Sequence, residues 1–548
     1  MIETEVAIVG GGPVGLFLAC ELGSYGVPCV LVNDGGDTAR HPRANTHSAR
    51  SMELYRRHGI AAAFRKCGLP PDYPTDSAYF TRLAGFEIGR IPLPSANDAR
   101  RTARANDHRW PTPEPQFRCT QIALEPLLRR RAASFAQNHI RFGFRAVAVA
   151  EKDGGVFVTA VGADEKSELR ISAKYCVGCD GGRSVVRRAM NVGYAGEGGI
   201  DLNFFGGQMV ASYFRAPRLL EIVNKRPAWQ YWSILPEQRS IVLALDGKEE
   251  FLLHVQLRHD ETPERYDFAT TLRRAVGVEV PHEVLSTAPW RGGQALVAEK
   301  YAAGRLLIAG DAAHLFTPTG GLGVNTGIED VANLAWKLGA VCRGWASPAL
   351  LDSYEQERRP VALRNTGAAL ALARAGGGCP IVPELDDDSP RGAAARFGLF
   401  QYITGYAWGE FDAPGIQLGA RYDESRIICR DGASPPPDLP RVYVPSGVPG
   451  GRAPHLWLDD DRSLLDTLGH SFVILRFNGN DGARRLAAAA GRRGIPVSIV
   501  SVGSARAREL YGADLVVVRP DQHIAWRGNA PPPDGDALFA RLTGLAAS

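Results

Sequence analysis

No stretch of this chain approaches the roughly 18 uninterrupted apolar residues that a membrane helix needs, so no helical membrane span is expected. Neither sign of charge dominates. The 63 Lys and Arg against 59 Asp and Glu leave a net +4, too diffuse over 548 residues to suggest a nucleic-acid partner. Cysteine is sparse: nine residues, odd in number and scattered, do not make a secreted disulfide framework. The twelve His show no His-x-x-x-His spacing beside carboxylates, so no metal centre is expected. The N-terminal Met-Ile-Glu-Thr-Glu runs straight into a strand pattern without a basic region or cleavage signal, which predicts a soluble, cytoplasmic protein. Glycine is plentiful instead, with 61 residues, and suggests many close backbone approaches. With 45% hydrophobic and 22% charged residues the composition is globular, and the length allows about three domains of roughly 100–200 residues.

Residues 5–9 read as a short buried strand, followed by Gly10-Gly11-Gly12-Pro13-Val14-Gly15, a helix over 16–24 and a second strand over 28–32. Residues 74–100 and 195–290 offer short strand-like runs, such as 240–245 and 251–257, that predict an inserted antiparallel sheet. Two polar, loop-like stretches at 376–392 and 431–440 punctuate the chain. Beyond them an α/β rhythm returns, with strands expected at 472–475, 497–502 and 515–519 and helices at 482–490 and 537–542. The basic run Arg100–Arg109 reads as a solvated loop.

Three motifs carry chemistry. Gly10, Gly12 and Gly15, set between a strand and a helix, permit a tight turn, the close approach of a pyrophosphate and close helix–strand packing. The acidic residue usual at the end of the following strand is replaced by Asn33, with Asp34 next to it, so either can hold the adenosine ribose. A second buried strand runs into Gly310-Asp311, then Pro318-Thr319-Gly320-Gly321-Leu322-Gly323-Val324-Asn325, whose glycines open a long helix and leave N–H donors free for an anion or electron-rich ring edge. The third motif is Cys179-Asp180-Gly181-Gly182-Arg183-Ser184. Cys176-x-x-Cys179 has redox spacing but lies on a strand, away from the helix N-terminus that would activate a thiol.

The three motifs in this order resemble the single-component, FAD-dependent aromatic hydroxylases with the p-hydroxybenzoate hydroxylase fold, and the resemblance spans essentially the whole chain. The phenol-hydroxylase-like branch, with its thioredoxin-like C-terminal domain, fits best. The resemblance implies an α/β and α+β fold: a Rossmann-like FAD domain at 1–75, 101–190 and 291–375 and a substrate domain at 76–100 and 191–290. A helical linker would follow at 376–440 and a thioredoxin-like domain at 441–548, which lacks Cys and is assigned packing or homodimer contacts. It further implies non-covalent FAD, with NADPH or NADH as co-substrate bound transiently, in keeping with the absence of a second Gly-x-Gly-x-x-Gly. Gly10, Gly12 and Gly15 would hold the pyrophosphate and Asp311 a ribityl hydroxyl, while the backbone of Gly323, Val324 and Asn325 would meet the flavin pyrimidine edge. Arg43 would stand beside the flavin, Gln121 would touch the FAD linker, and Asp180 would serve both FAD and nicotinamide.

The implied reaction uses NAD(P)H and O₂ to hydroxylate a phenolic substrate through a flavin hydroperoxide. Where phenol hydroxylases carry an Asp, this chain has Asn45, which cannot act as a base; His47 and His254 are the candidate groups at the phenol oxygen. An acidic nitro- or chlorophenol or catechol, already ionised, would need no strong base. The alternatives are polyketide aromatic hydroxylation, Baeyer–Villiger oxygen insertion, and a flavin-binding accessory protein that does not oxygenate.

Overall fold

In the first strand, Ile2–Val9, the residues Val6, Ala7, Ile8 and Val9 are all buried, the pattern of a strand covered on both faces. The computed structural model describes residues 1–545 apart from 106–108, 201, 203, 259, 459–461, 478 and 480. Ile2–Val9 lies at the centre of a sheet ordered Ala302–Ala303, Leu306–Ile308, Glu168–Gly178, Ile2–Val9, Cys29–Asn33, Asn138–Phe142. Its neighbours run parallel to it, and a hairpin, Phe144–Lys152 with Gly155–Gly162, extends the outer half of Glu168–Gly178. The register sets Val9 opposite both Gly178 and Val32, and Gly178 opposite Ile308. The three sequence motifs therefore leave the sheet side by side at its carboxyl edge, where open α/β sheets bind their ligands.

A seven-stranded sheet stands apart, ordered Glu283–Arg291, Gln208–Arg215, Glu250–Gln256, Arg239–Ala244, Gln230–Ile234, Ser77–Phe80, Glu87–Ile91. The helix Pro390–Phe411 covers it with one face: Leu399, Ile403, Ala407 and Phe411, spaced by four, are buried in the same core as the sheet. A short sheet of Tyr194–Gly198, Gln294–Ala298 and His314–Leu315 ties the two large sheets together. The last unit is a four-stranded sheet, Val497–Ser501, Phe472–Arg476, Leu515–Val518, Ile524–Gly528, parallel at its first pair and antiparallel at the others. Its Phe472, Ile474 and Phe539 share one apolar core with Trp336 and Leu350 of the first unit.

Several expectations are corrected. The first helix starts at Pro13, the favoured first helical position, rather than at Leu16. The run Arg100–Arg109 is not simply a loop. Its first part belongs to the helix Ala96–Arg104, capped by Ser95 on the Asp98 N–H, with only Ala103 buried; residues 106–108 lie outside the described residues. The polar stretch 376–392 contains the end of the helix Asp352–Gly377 and the start of Pro390–Phe411. In the C-terminal unit the helix Ala505–Tyr511 and the strand Ile524–Gly528 went unread. Among the described residues, no helix is long and apolar enough to cross a membrane.

Candidate cofactor and substrate site

The glycine turn is built from backbone collisions avoided. A Cβ on Gly10 would lie 2.2 Å from the Cys179 carbonyl oxygen, and one on Gly15 would lie 2.0 Å from the Gly10 carbonyl oxygen. Gly10 also has φ +107°, closed to ordinary side chains. Gly12 differs, because a Cβ there would meet nothing within 4 Å. The protein itself gives no reason for glycine at 12, whereas a pyrophosphate lying in that space does. The helix Pro13–Ser24 begins at Gly12 without a side-chain cap, so its first N–H groups are free for an anion.

The end of the second strand braces this turn. Asn33 Oδ1 accepts the Gly11 N–H at 2.9 Å, while Asp34 is exposed and accepts the N–H of Gly35 at 2.8 Å. Gln121 donates to Glu125, whose other oxygen takes the Ala39 N–H at 2.6 Å; burial pushes the Glu125 carboxyl up.

The Gly310-Asp311 turn meets the same edge. Gly310 has φ +61°, and a Cβ on Gly327 would come within 3.0 Å of the Gly310 Cα, so the long helix Leu322–Cys342 presses directly on this turn. Asp311 is exposed, and among the described residues its carboxylate makes no hydrogen bond or ion pair. The surrounding protein pushes that carboxyl up, against the pull of nearby His314 and Arg43. Arg43 is itself exposed.

Gly320 and Gly321 lie at φ +77° and +62°, and Gly321 starts the long helix without a side-chain cap. Asn325 is spent on structure. Its side chain donates to the Thr46 carbonyl at 3.0 Å and accepts the Ser48 N–H at 2.8 Å, pinning the segment after Arg43 against the helix start. The first turn of the helix, without a side-chain cap, offers backbone N–H donors there instead.

At Asp180, Oδ2 accepts the Val185 N–H at 2.6 Å, and the buried Oδ1 has no partner. Burial raises this carboxyl, with Ser184 and Val185 opposing. Arg187 links this motif to the second: it donates to Tyr194 Oη at 2.7 Å and to the Ala312 carbonyl at 3.2 Å, and Tyr194 donates to the Asp311 carbonyl. Sequence reading missed Tyr194 because nothing local marks it. Cys176 and Cys179 are free thiols that burial pushes up, which fits packing rather than thiolate chemistry.

The catalytic candidates separate. His47 is fully buried, its Nε2 on the Cys119 carbonyl at 3.2 Å and its ring edge-on to Phe64; burial draws it down to about 3. His47 is a core residue, and the expectation that it meets the substrate is withdrawn. Asn45 is half-buried, its carbonyl holding the Cys119 N–H and its side chain only a 3.4 Å contact from the Thr46 hydroxyl. His254 sits on the seven-stranded sheet beside Trp290, its Nδ1 buried without a partner and its pKa drawn down to about 4 by burial. It is therefore neutral at pH 7.

A cavity lies between that sheet and the helix Pro390–Phe411. Tyr79, Phe204, Phe205 and Trp232 form its aromatic wall; Thr319, from the loop that opens the cofactor-side helix, and Glu410 supply polar atoms. His254 does not line it. Phe205 and Trp290, 6.3 Å apart between ring centroids, stand between.

One further polar cluster, Glu21, His58 and His470, has ligand atoms within 4.8 Å of one another. Arg57 already pairs with Glu21, so the cluster is a charge-compensated contact between the first helix and the C-terminal unit.

Two family models match the chain: an FAD-binding domain over residues 3–369 and an aromatic-ring hydroxylase C-terminal domain over 446–546. The chain is similar to the FAD-dependent monooxygenase apdD of Emericella nidulans, at 33% identity over 98% of this chain and 90% of that protein. It is also similar to a 4-methyl-5-nitrocatechol 5-monooxygenase of a Burkholderia species, at 32% identity over 98% and 96%. Among solved structures, the rebeccamycin biosynthetic enzyme RebC with reduced flavin superposes with a TM-score of 0.89 at 36% identity, covering 100% of this chain and 99% of that one.

Proposed function

Because the chain belongs to the FAD-binding aromatic-ring hydroxylases, we propose that it uses NADPH or NADH and O₂ to hydroxylate a phenolic aromatic substrate. The observation that carries this reading is the continuity of the two sites. Thr319, in the loop that begins the cofactor-side helix, also lines the aromatic cavity, so a ring held there lies against the cofactor's edge. Bound FAD supplies two-electron reduction by the nicotinamide and activation of O₂.

The residues divide the work. Gly10, Gly12 and Gly15 admit the pyrophosphate, and the free N–H groups of the helix Leu322–Cys342 favour negative charge at the flavin's pyrimidine edge. Asp311 holds a ribityl hydroxyl, with Arg43 beside it and Asp180 at the shared FAD and nicotinamide edge. The aromatic wall excludes water and orients the ring. In this reading residues 1–75, 101–190 and 291–375 form the cofactor unit, 76–100 and 191–290 the substrate unit, and 441–548 a unit that packs and can mediate a homodimer, in a cytoplasmic protein. A nitro- or chlorophenol or catechol is the first substrate class. A polycyclic polyketide is the second, with either hydroxylation or Baeyer–Villiger insertion.

The test is a screen of phenols, nitrocatechols and polyketide aromatics for stimulation of NAD(P)H oxidation by the yellow holoprotein, with products identified by mass. Products heavier by one oxygen are expected. Nicotinamide consumption without product for every aromatic would favour a non-oxygenating flavoprotein instead. Asp311→Ala should weaken FAD by about 1–3 kcal/mol, the scale of a lost charged hydrogen bond, read from fluorescence of released flavin. Wild-type retention would remove the ribityl contact.

A further inference from the structure

The described cavity contains an acid that the motifs do not point to. Glu410 sits one residue from the end of the helix Pro390–Phe411, whose Ser389 cap on the Gly392 N–H and Pro390 start fix its register. Ala407 and Phe411 face the sheet core, which turns Tyr406 and Glu410, four residues apart, toward the cavity they both line. One carboxylate oxygen of Glu410 accepts the Gly320 N–H at 3.3 Å, so the group is anchored to the loop that opens the cofactor-side helix. Among the described residues the carboxylate has no other hydrogen bond or ion pair, which leaves its second oxygen for the cavity. Asn45, the position where an acid was expected, cannot take a proton; Glu410 can.

We propose that Glu410 receives the substrate's phenolic proton. This rests on the hydroxylase reading above. The bound phenol donates its O–H to the free carboxylate oxygen; the O–H bond breaks, its electron pair stays on the phenolate oxygen, and the carboxylate becomes a carboxylic acid. No oxidation occurs in this step. The proton returns to solvent when product leaves. The ligand and Glu410 then share one proton, wherever it resides, and a ligand that arrives as phenolate must first take one up. This reverses the expectation from Asn45 that the site depends on substrates already ionised.

The other groups near Glu410 stay constant over neutral pH. Burial pushes Tyr79 and Tyr406 well up and Cys379 up, so all remain neutral. Arg118 is drawn down by burial only to about 10 and stays charged. Burial raises Glu410 itself, with the Gly320 N–H and Arg118 opposing. Arg239, drawn down by burial, stands across the cavity and is common to wild type and variant.

The experiment titrates FAD-loaded protein with 4-nitrophenol and 4-nitrocatechol from pH 6 to 9, following the flavin spectrum. Wild type should lose about tenfold in affinity per pH unit above the ligand's own pKa, because only the protonated pair binds. Glu410→Gln, which keeps an oxygen for the Gly320 N–H, should abolish that loss, since an amide can donate to phenolate; Glu410→Asp should retain it. FAD content and melting temperature of Glu410→Gln report that the variant is folded and loaded before its pH slope is read. An unchanged pH slope in Glu410→Gln, in a wild type that binds and oxidises these ligands, overturns the role of Glu410 alone. A wild type that neither binds nor oxidises any aromatic overturns the hydroxylase reading, and this proposal with it.

Discussion

A Gly12→Val protein should purify folded, with a melting temperature close to that of wild-type apoprotein, and colourless. The two halves of this result come from one measurement of space. A Cβ at position 12 meets no protein atom within 4 Å, so the turn leaves room for a side chain to start there. The space it fills is the one left beside the uncapped start of the helix Pro13–Ser24, where a pyrophosphate accepts N–H donors. Loss of FAD affinity on the order of 10²-fold or more, about 3 kcal/mol, is expected, read by flavin titration of the apoprotein. Gly15→Ala is the control with the opposite signature. Its methyl would sit 2.0 Å from the Gly10 carbonyl oxygen, so it should damage the fold itself. A yellow Gly12→Val protein would show that the pyrophosphate does not pass there.

The glycine turn was legible because strand, turn and helix are contiguous, and each position's constraint is local. The same holds for Gly310-Asp311 and for the short apolar run at Glu250–Gln256, which reads as a strand over 251–257. What could not be read depends on approach in space. His47 and His254 look alike in sequence, yet one packs edge-on to Phe64 in a core while the other stands beside Trp290 on the seven-stranded sheet. Glu410 belongs to a helix that lies within the helical linker expected at 376–440, its bounds obscured by Gly392, Gly398, Gly405 and Gly409, residues that normally argue against helix. Its importance comes from Gly320, 90 residues earlier, which no local pattern links to it. Tyr194 likewise matters through the Asp311 carbonyl, 117 residues on.

The second large effect concerns Glu357. Its carboxylate receives Lys337 Nζ at 2.6 Å, the Arg519 guanidinium at 2.6 and 2.8 Å, and Asn333 and Ser425 at 2.6 Å each. The side chains of Glu357, Lys337 and Arg519 are all 0% exposed, and Arg519 comes from the C-terminal unit. Glu357→Ala would leave Lys337 without its anion in a buried site, and Arg519 with only Asp521. Breaking a buried pair in this way costs about 3–5 kcal/mol. That is a large share of a typical stability of roughly 5–15 kcal/mol. The acid side is also defined. Burial would push the Glu357 carboxyl up, but Arg519 and Lys337 hold it well below the ordinary range. Its folded pKa therefore lies below its unfolded value near 4.3, so its contribution is present above that pH and fades as pH falls further. Wild type should lose stability in acid below about pH 4.3 more steeply than Glu357→Ala, measured by thermal melts across pH. The same geometry sets the result of cutting the chain after residue 445. Arg519 and Arg452 would go, leaving Lys337 as the cation on Glu357 and Arg50 as the cation on Glu53, and the apolar face of Trp336 would lose Phe472. The shortened protein should be insoluble rather than merely less stable. A soluble, FAD-loaded truncation melting at the wild-type temperature would mean that the buried ion pairs contribute nothing to holding the first unit together.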